Sequence, residues 1–190
     1  MKLEDGMLLY HGSYTAIEKI DLKLCADGKD FGKGFYLTSD LQQARNFVMA
    51  SVAKAKAQGI VPLEQNHGFI TSFRFHPIVN DLKIHQFCDA DREWLWFIAQ
   101  NRRKKLISVL ETHLSGIPDS DIIVGKVAND QTNPVITAYL NGLFGDVLSE
   151  DAVQDAIKRL MPDHLVDQYC FLTEKAISCL TFEEARKYVR

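Results

Sequence analysis

Short strand-like segments are spread over the whole chain and are separated by helical ones. Apolar or alternating patterns typical of strands occur in "MLLYHG" (7–12), "GFYLT" (34–38), "GFITSFRFHP" (68–77), "DIIVGKVA" (121–128) and "VDQYCFL" (166–172). In "GFYLT", Phe35 and Leu37 share one face and Tyr36 lies on the other. Because the strands follow no repeating βαβ rhythm, the pattern predicts an α+β fold with a mixed sheet.

Helical patterns fill the intervals between these strands. The clearest is 39–59, where Ser39 and Gln42 form a capping box and Ala44, Phe47 and Val48 are placed inward. A second helix is predicted over 89–105, with Trp94, Phe97 and Ile98 inward. Further helices are predicted at 134–142, 149–160 and 173–180, and a final one at 181–190 with Thr181 and Glu184 as its capping box.

Length and composition limit the class of protein. The 190 residues fit one domain, and 46% apolar with 25% charged residues is ordinary for a protein with a hydrophobic core. A net charge of −3 provides no global attraction to nucleic acid or to an anionic membrane. No signal-peptide h-region is visible, and no apolar stretch approaches the ~18 residues of a membrane span. We therefore expect a cytoplasmic protein without a membrane partner.

Cysteine and histidine spacing gives no metal-binding pattern. Cys25, Cys88, Cys170 and Cys179 form no CxxC pair, so we expect reduced, packed thiols. His85 and Cys88 lie close in sequence, but a zinc site needs three or four ligands, and no partner set is evident. The sequence therefore predicts no metal.

Two glycine-containing segments near the start carry the strongest chemical signal. In "YHGS", His11 and Ser13 flank Gly12; in "DFGKGFYLT", Gly32 and Gly34 flank Lys33 and precede Tyr36. Glycine at a strand end lets a ligand approach the backbone closely. Backbone amides beside polar donors and an aromatic ring suit a flat ring that bears a carboxamide. The spacing is not that of a phosphate-binding P-loop.

These segments also resemble a known group. "YHGS" at 10–13, "DFGKGFYLT" at 30–38 followed by "QA" at 43–44, and "DQYCFLTEKAISCL" at 167–180 are similar to little-characterised bacterial proteins grouped with the ADP-ribosyltransferases. The pattern resembles that of the diphtheria-toxin and poly-ADP-ribose polymerase branch, whose signature is His, Tyr and then Glu or a substitute. The resemblance implies that branch's split sheet, surrounded by helices, as a single domain over 1–190.

Residue roles follow from that resemblance. It implies that His11 hydrogen-bonds the adenosine ribose of NAD and that Gly12 holds the nicotinamide carboxamide beside Ser13. It also implies that Tyr36 stacks on the nicotinamide ring. The third signature position falls on Gln168, which would face the nicotinamide ribose. The cofactor-binding set would be His11, Gly12, Ser13, Gly32, Lys33, Gly34 and Tyr36, and the catalytic set His11, Tyr36 and Gln168.

Gln168 departs from the family's usual glutamate. An amide keeps a hydrogen bond to a ribose hydroxyl, but it supplies neither negative charge nor a general base. This argues against elongation of poly-ADP-ribose. Asp30, Glu174 and Glu93 are the candidates for a base from elsewhere in the chain.

The implied function is mono-ADP-ribosyl transfer from NAD to a protein, a nucleic acid or a small acceptor. Bacterial members of the wider group often act as toxins or in defence, and this analogy admits an antitoxin as a partner. An NAD glycohydrolase and a catalytically weak NAD or ADP-ribose binding module remain alternatives.

Each of these residues also has a purely structural interpretation. His11 could be a core histidine, Tyr36 a packed strand residue, Gln168 a strand-surface amide and Lys33 a solvated loop charge. "NRRKK" at 101–105, close to two tryptophans, could bind nucleic acid, but basic residues at a helix C-terminus also complement the helix dipole.

Overall fold

The computed structural model describes residues 2–102, 117–126, 132–160 and 167–189. Its strands are β1 (Leu8–Ser13), β2 (Phe35–Thr38), β3 (His67–Phe75), β4 (Ile84–Gln86), β5 (Ile122–Lys126), β6 (Asp167–Phe171) and β7 (Leu180–Val189). Its α-helices are α1 (Leu41–Ala57), α2 (Arg92–Arg102), α3 (Thr132–Leu140), α4 (Glu150–Leu160) and α5 (Glu174–Ile177). Short 3-10 helices occupy Leu22–Leu24 and Ile117–Asp119.

The strands form a seven-stranded sheet in the order β4-β5-β6-β2-β1-β3-β7. β4 and β5 are parallel, and every other neighbouring pair is antiparallel. The predicted α+β fold with a mixed sheet is confirmed.

One face of the sheet is covered by a continuous apolar cluster. Leu9, Phe35, Phe73, Val124 and Phe171 all belong to it, so it extends across strands on both sides of β2. The short helix α5 packs against this face through Ala176. Phe35 and Leu37 lie here, and Tyr36 lies on the opposite face, as the alternation in "GFYLT" predicts.

The opposite face carries two separate apolar clusters. Helices α2, α3 and α4 pack over β5 and β6, where Ile123 and Cys170 contribute to the cluster. Helix α1 packs over β1 and β3, where Ile70 and Tyr10 contribute. The two helix groups therefore leave the junction of β1 and β2 between them, and this division positions the candidate site.

Several sequence predictions need correction. The segment 181–189 forms strand β7 and not a helix, because it pairs with β3 from Phe75 back to His67. Helix α1 is capped by Asp40, whose side chain accepts hydrogen bonds from the N–H groups of Gln42 and Gln43, and not by Ser39. Phe47, predicted to point inward, is 41% exposed.

The other predicted helices are present, although the one predicted over 173–180 is confined to Glu174–Ile177 and Leu180 already belongs to β7. Trp94, Phe97 and Ile98 are buried on α2 as expected, and Trp96 is buried as well. The basic residues at 103–105 lie outside the described residues. None of the helices in the described ranges is long and apolar enough to cross a membrane.

Candidate functional site

The sheet is joined differently on the two sides of β2. On the β6 side, all four residues of β2 have a register partner, from Phe35 with Phe171 to Thr38 with Gln168. On the β1 side, the single register pair is Tyr10 with Thr38. β1 nevertheless continues as a strand on β3 through Ser13. Within the described ranges the sheet therefore opens between the C-terminal half of β1 and the N-terminal half of β2.

His11 bridges this opening. Its Nδ1 atom lies 2.8 Å from the carbonyl oxygen of Tyr36, and its ring stacks on Phe35 with a centroid distance of 4.6 Å. Because a carbonyl oxygen only accepts hydrogen bonds, Nδ1 carries the proton and Nε2 presents a lone pair in the neutral ring. Burial lowers the pKa of His11, and the bond to Tyr36 only partly offsets this, so the ring favours its neutral form.

Gly12 permits close packing of α1 against β1. A Cβ atom at this position would lie 2.1 Å from the carbonyl oxygen of Ala44 and 3.0 Å from the amide nitrogen of Val48. Both obstacles belong to the helix backbone, so no side-chain rotation could relieve the clash. Ser13, the next residue, is buried. The glycine of "YHGS" thus has a demonstrable packing role beside the one that the resemblance implies.

Tyr36 holds the preceding loop through its hydroxyl group. The oxygen accepts a hydrogen bond from the N–H of Phe31 at 3.0 Å and donates one to the carbonyl of Gly32 at 2.8 Å. Burial raises the pKa of the Tyr36 phenol, so the group stays protonated and can donate. The ring is half-buried on the face between the two helix groups.

Helix α2 holds the same loop from its other side. The Asn101 side chain donates to the carbonyl of Asp30 at 3.1 Å, and the Arg102 Nε atom lies 2.5 Å from the buried carboxylate of Asp30. Gly32 adopts φ +89°, and a Cβ added there would meet the Asn101 side chain at 3.2 Å. The loop is therefore fixed at residues 30–32.

Gly34 and Lys33 differ sharply in their surroundings. A Cβ at Gly34 would lie 2.6 Å from the Cys170 sulfur and 2.8 Å from the carbonyl oxygen of Phe171, so β2 and β6 approach closely there. Lys33 is exposed. Burial raises the pKa of the Cys170 thiol, which keeps it protonated and unreactive.

Gln168 is buried and lies in the middle of the sheet, opposite Thr38 on β2 and Gly125 on β5. Tyr36 is paired with Cys170, and Cys170 lies two residues after Gln168 on β6. Gln168 and Tyr36 therefore share a face of the sheet. The structure thus places Tyr36 and Gln168, two members of the predicted catalytic set, on the face between the helix groups. The His11 ring stacks on Phe35 of the other face and reaches the opening from there.

The three candidate bases are placed differently. Asp30 lies in the loop held by Tyr36 and is engaged with Arg102. Glu93 and Glu174 are exposed on α2 and α5, respectively. Of the three, only Asp30 adjoins the predicted site, where its carboxylate is ion-paired with Arg102.

Positive charge gathers beside the loop. The pKa of Lys29 is lowered, first by desolvation and then by the positive charges of Lys54 on α1 and Arg102 on α2, with Asp30 opposing. Lys29 and Lys54 thus add positive charge near the loop, which favours an anion there. In the described ranges, no group of three His, Cys, Asp or Glu side chains could hold a metal ion.

Sequence reasoning missed the roles of Asn101, Arg102 and Lys54. "NRRKK" indicated a basic helix end or a nucleic-acid-binding patch, whereas its first two residues fix the loop of Asp30. Arg102 is 17% exposed and paired, which argues against its role in a nucleic-acid-binding patch. No local signal links residues 30 and 102, because only the tertiary structure brings them together.

The family of the chain is known from a match to a family model. Residues 7–182 match the model described as "Protein of unknown function (DUF3990)". The chain belongs to this family. The match includes both glycine-containing segments and the strand of Gln168, so the opening between β1 and β2 lies inside the family's domain. No curated protein matches the chain.

Proposed function

We propose that this protein binds NAD at the opening between β1 and β2 and transfers its ADP-ribose to an acceptor, releasing nicotinamide. The observation that carries the proposal is the single register pair between these strands, with the His11 ring bridging the gap. Strand edges with unpaired backbone groups form hydrogen bonds readily with a ligand. A carboxamide, which both donates and accepts, has the chemistry to use such an edge.

The state of His11 supports the binding of a sugar hydroxyl. With Nδ1 donating to the Tyr36 carbonyl and burial favouring the neutral ring, Nε2 can accept a hydrogen bond. A ribose hydroxyl is a donor of the required kind. The role that the resemblance implies for His11 is thus compatible with its tautomer.

The charges around the opening support a dinucleotide. Lys29 in the loop and Lys54 on α1 place positive charge there, although the whole chain carries a net charge of −3. A pyrophosphate would be stabilised there. Tyr36 offers a half-buried aromatic ring beside the same loop.

Gln168 and Asp30 limit the chemistry that these residues can perform. Cleavage of the bond between nicotinamide and ribose develops positive charge on the sugar, which negative groups stabilise. Gln168 provides an amide where a carboxylate would be stronger, and the buried Asp30 carboxylate of the loop is already ion-paired with Arg102. We therefore expect slow turnover and transfer of a single ADP-ribose rather than polymer formation.

The decisive experiment measures nicotinamide release from NAD by the wild type and by His11→Ala. We expect release by the wild type and a loss of at least tenfold in the variant, because the acceptor at Nε2 disappears. His76→Ala is the matched control, since this histidine lies 2.7 Å from Asp5 at the surface. An equal loss of nicotinamide release in both histidine variants would contradict a specific role for His11 in NAD binding.

Transfer and hydrolysis are separated by the fate of the adenylate. NAD labelled on the adenylate phosphate transfers its label to a macromolecule if the protein is a transferase acting on one. Release of nicotinamide with the label left entirely on free ADP-ribose would instead identify an NAD glycohydrolase.

A catalytically weak binding module is the second candidate, and the buried amide of Gln168 is the observation that favours it. In that case NAD would raise the melting temperature by mass action without release of nicotinamide. Neither a melting shift nor nicotinamide release would overturn both candidates.

A further inference from the structure

β7 is a ten-residue strand at one end of the sheet, and its inner edge pairs with β3 along almost its whole length. In the described part of the chain, no strand pairs with its outer edge. Most of its side chains are exposed, with Leu180, Ala185 and Tyr188 half-buried. A long edge strand of this kind presents unpaired backbone N–H and C=O groups to a second chain.

The charged residues of β7 are arranged symmetrically about Ala185, with opposite signs on its two sides. The segment reads "FEEARKY" from 182 to 188, so two acidic residues precede Ala185 and two basic residues follow it. When such a strand pairs with an identical antiparallel strand centred on Ala185, Glu184 faces Arg186 of the copy. Glu183 then lies toward Lys187 of the copy at each end.

Symmetric registers centred on a charged residue place like charges opposite each other, and those centred on Phe182 or Tyr188 leave the charges without partners. Residues that face each other in an antiparallel pair point to the same side of the sheet. In a symmetric dimer the twofold axis, which is normal to the sheet, therefore passes midway between the same residue of the two copies. A centre at Glu184 would oppose two glutamates, and centres at Arg186 or Lys187 would oppose two cations. A parallel in-register pair would oppose every charge to itself. Only the Ala185 centre satisfies the charges of this segment, and it places a small side chain on the axis.

We propose that two copies of this chain associate through their β7 edges, antiparallel and centred on Ala185, to form a continuous sheet across the dimer. Glu184 and Arg186 already approach within 2.7 Å along one strand, and both are solvent-exposed. Pairing across the axis would join two such ion pairs into a network of four charges. Cross-strand pairs of opposite charge stabilise a sheet, and like charges directly opposite destabilise it.

The bulge in β7 limits the extent of this interface. The register with β3 shifts between Ser72 and Phe73, which leaves Glu183 as the additional residue, and Glu183 is also paired with Arg74. Regular pairing is therefore confined to a few residues on either side of Ala185. Stable dimers usually bury about 1,200–2,000 Å², so a contact this short predicts a reversible, concentration-dependent dimer.

Sedimentation velocity of the full chain tests the proposal. The wild type should pass from monomer toward dimer between about 5 and 200 µM by mass action. Glu184→Lys and Arg186→Glu should each weaken self-association at least about tenfold, because each places like charges across the axis. Asp155→Lys, with the same charge change on an exposed position of α4, should associate like the wild type.

Mixing the two charge variants provides the sharpest result. In an equimolar mixture, Lys at 184 of one chain faces Glu at 186 of the other, and the remaining pair stays Glu with Arg. We expect the mixture to dimerise at wild-type concentrations while each variant alone stays monomeric, which a folding defect could not produce. A wild type that is monomeric throughout, a mixture that does not associate, or charge variants that self-associate normally would each overturn the proposal.

Discussion

β2 has two neighbouring strands, and they hold it in opposite ways. β6 pairs with all four of its residues, and at Gly34, just before β2, the backbones approach so closely that a Cβ would meet Cys170 and Phe171. β1 pairs with β2 once, at Thr38, and a histidine ring reaches across the remaining gap. A closed junction of this kind stabilises the sheet, whereas an open one leaves backbone groups available to a ligand.

The same difference is visible in the layer above the sheet. Helices α2, α3 and α4 form one cluster over the closed side, and α1 forms another over β1 and β3. On the reverse face a single cluster spans both sides. Behind the opening the sheet is therefore covered by one continuous cluster, whereas in front of it the apolar layer is divided between the two helix groups.

The largest effect is expected from Gly12→Ala on the open side. The added methyl would collide with the Ala44 carbonyl, so α1 must move away from β1, at a cost of about 3 kcal/mol in the free energy of unfolding. Urea denaturation measures this. Gly28→Ala, where no atom lies within 4 Å but φ is +70°, should cost only about 1–2 kcal/mol. Equal losses would show that α1 does not pack tightly on β1.

Removal of the hydroxyl that holds the loop should come next. Tyr36→Phe leaves the N–H of Phe31 and the carbonyl of Gly32 without their partner, and we expect a loss of about 1–2 kcal/mol in stability. If the loop also shapes the NAD site, KM for NAD rises. Tyr188→Phe on β7 is the control and should stay within about 0.5 kcal/mol of the wild type. Unchanged stability of Tyr36→Phe would contradict the fixed loop.

Gln168→Glu tests whether the missing charge limits turnover. A carboxylate at this position should raise the rate of nicotinamide release about tenfold. Because the site is buried, the pKa of the new carboxyl should be raised, so the gain should grow as pH increases. Gln86→Glu on β4 controls for the added charge and should change nothing. A rate that falls or stays constant across pH would remove Gln168 from the site.

A smaller effect is expected from the cations beside the opening. Lys54→Ala should raise KM for NAD about threefold to tenfold while kcat changes little, because the charge assists binding in the ground state and transition state alike. Added salt should reduce the difference. Lys158→Ala on α4 is the control. An effect on kcat alone would contradict a binding role.

The smallest effect concerns pH and His11. Burial lowers its pKa in the folded state below the ordinary 6.5, so the unfolded chain binds more protons as pH falls. Stability contributed by neutral His11 is therefore complete above pH 6.5 and decreases below it. His85 contributes in the same direction. Urea midpoints measured between about pH 7.5 and 5 should fall less steeply for His11→Gln than for the wild type. Identical slopes would show that His11 is not held neutral.

The sequence was sufficient where a segment's own pattern matched its surroundings. The segments "VDQYCFL" and "DIIVGKVA" were predicted as strands, and both strands are largely buried; alternation placed Phe35 and Leu37 opposite Tyr36. The spacing of Trp94, Phe97 and Ile98 predicted the buried face of α2. In these segments the hydrophobic period, the element type and the burial agree.

Prediction of the site was only partly possible. "YHGS" and "DFGKGFYLT" indicated which residues gather at β1 and β2, because glycines and aromatics mark close backbone approaches within a short range. The hydrogen bond of His11 to the Tyr36 carbonyl and the pairing of Asp30 with Arg102 could not be predicted. Each depends on how the sheet opens and where α2 ends, and neither leaves a local pattern.

β6 and β7 differ in whether their own sequence or the pairing with a neighbouring strand determines their conformation. β6 is buried throughout, and its apolar and aromatic residues determine it as a strand from the sequence alone. β7 contains Glu, Ala, Arg and Lys, which favour a helix, and Thr181 with Glu184 imitates a helix cap. Only pairing with β3 makes it a strand, because hydrogen bonds along a nine-residue neighbour outweigh weak local preferences. The sequence by itself determined the buried strands and their faces, and the tertiary structure decided the edge strand and the opening beside β2.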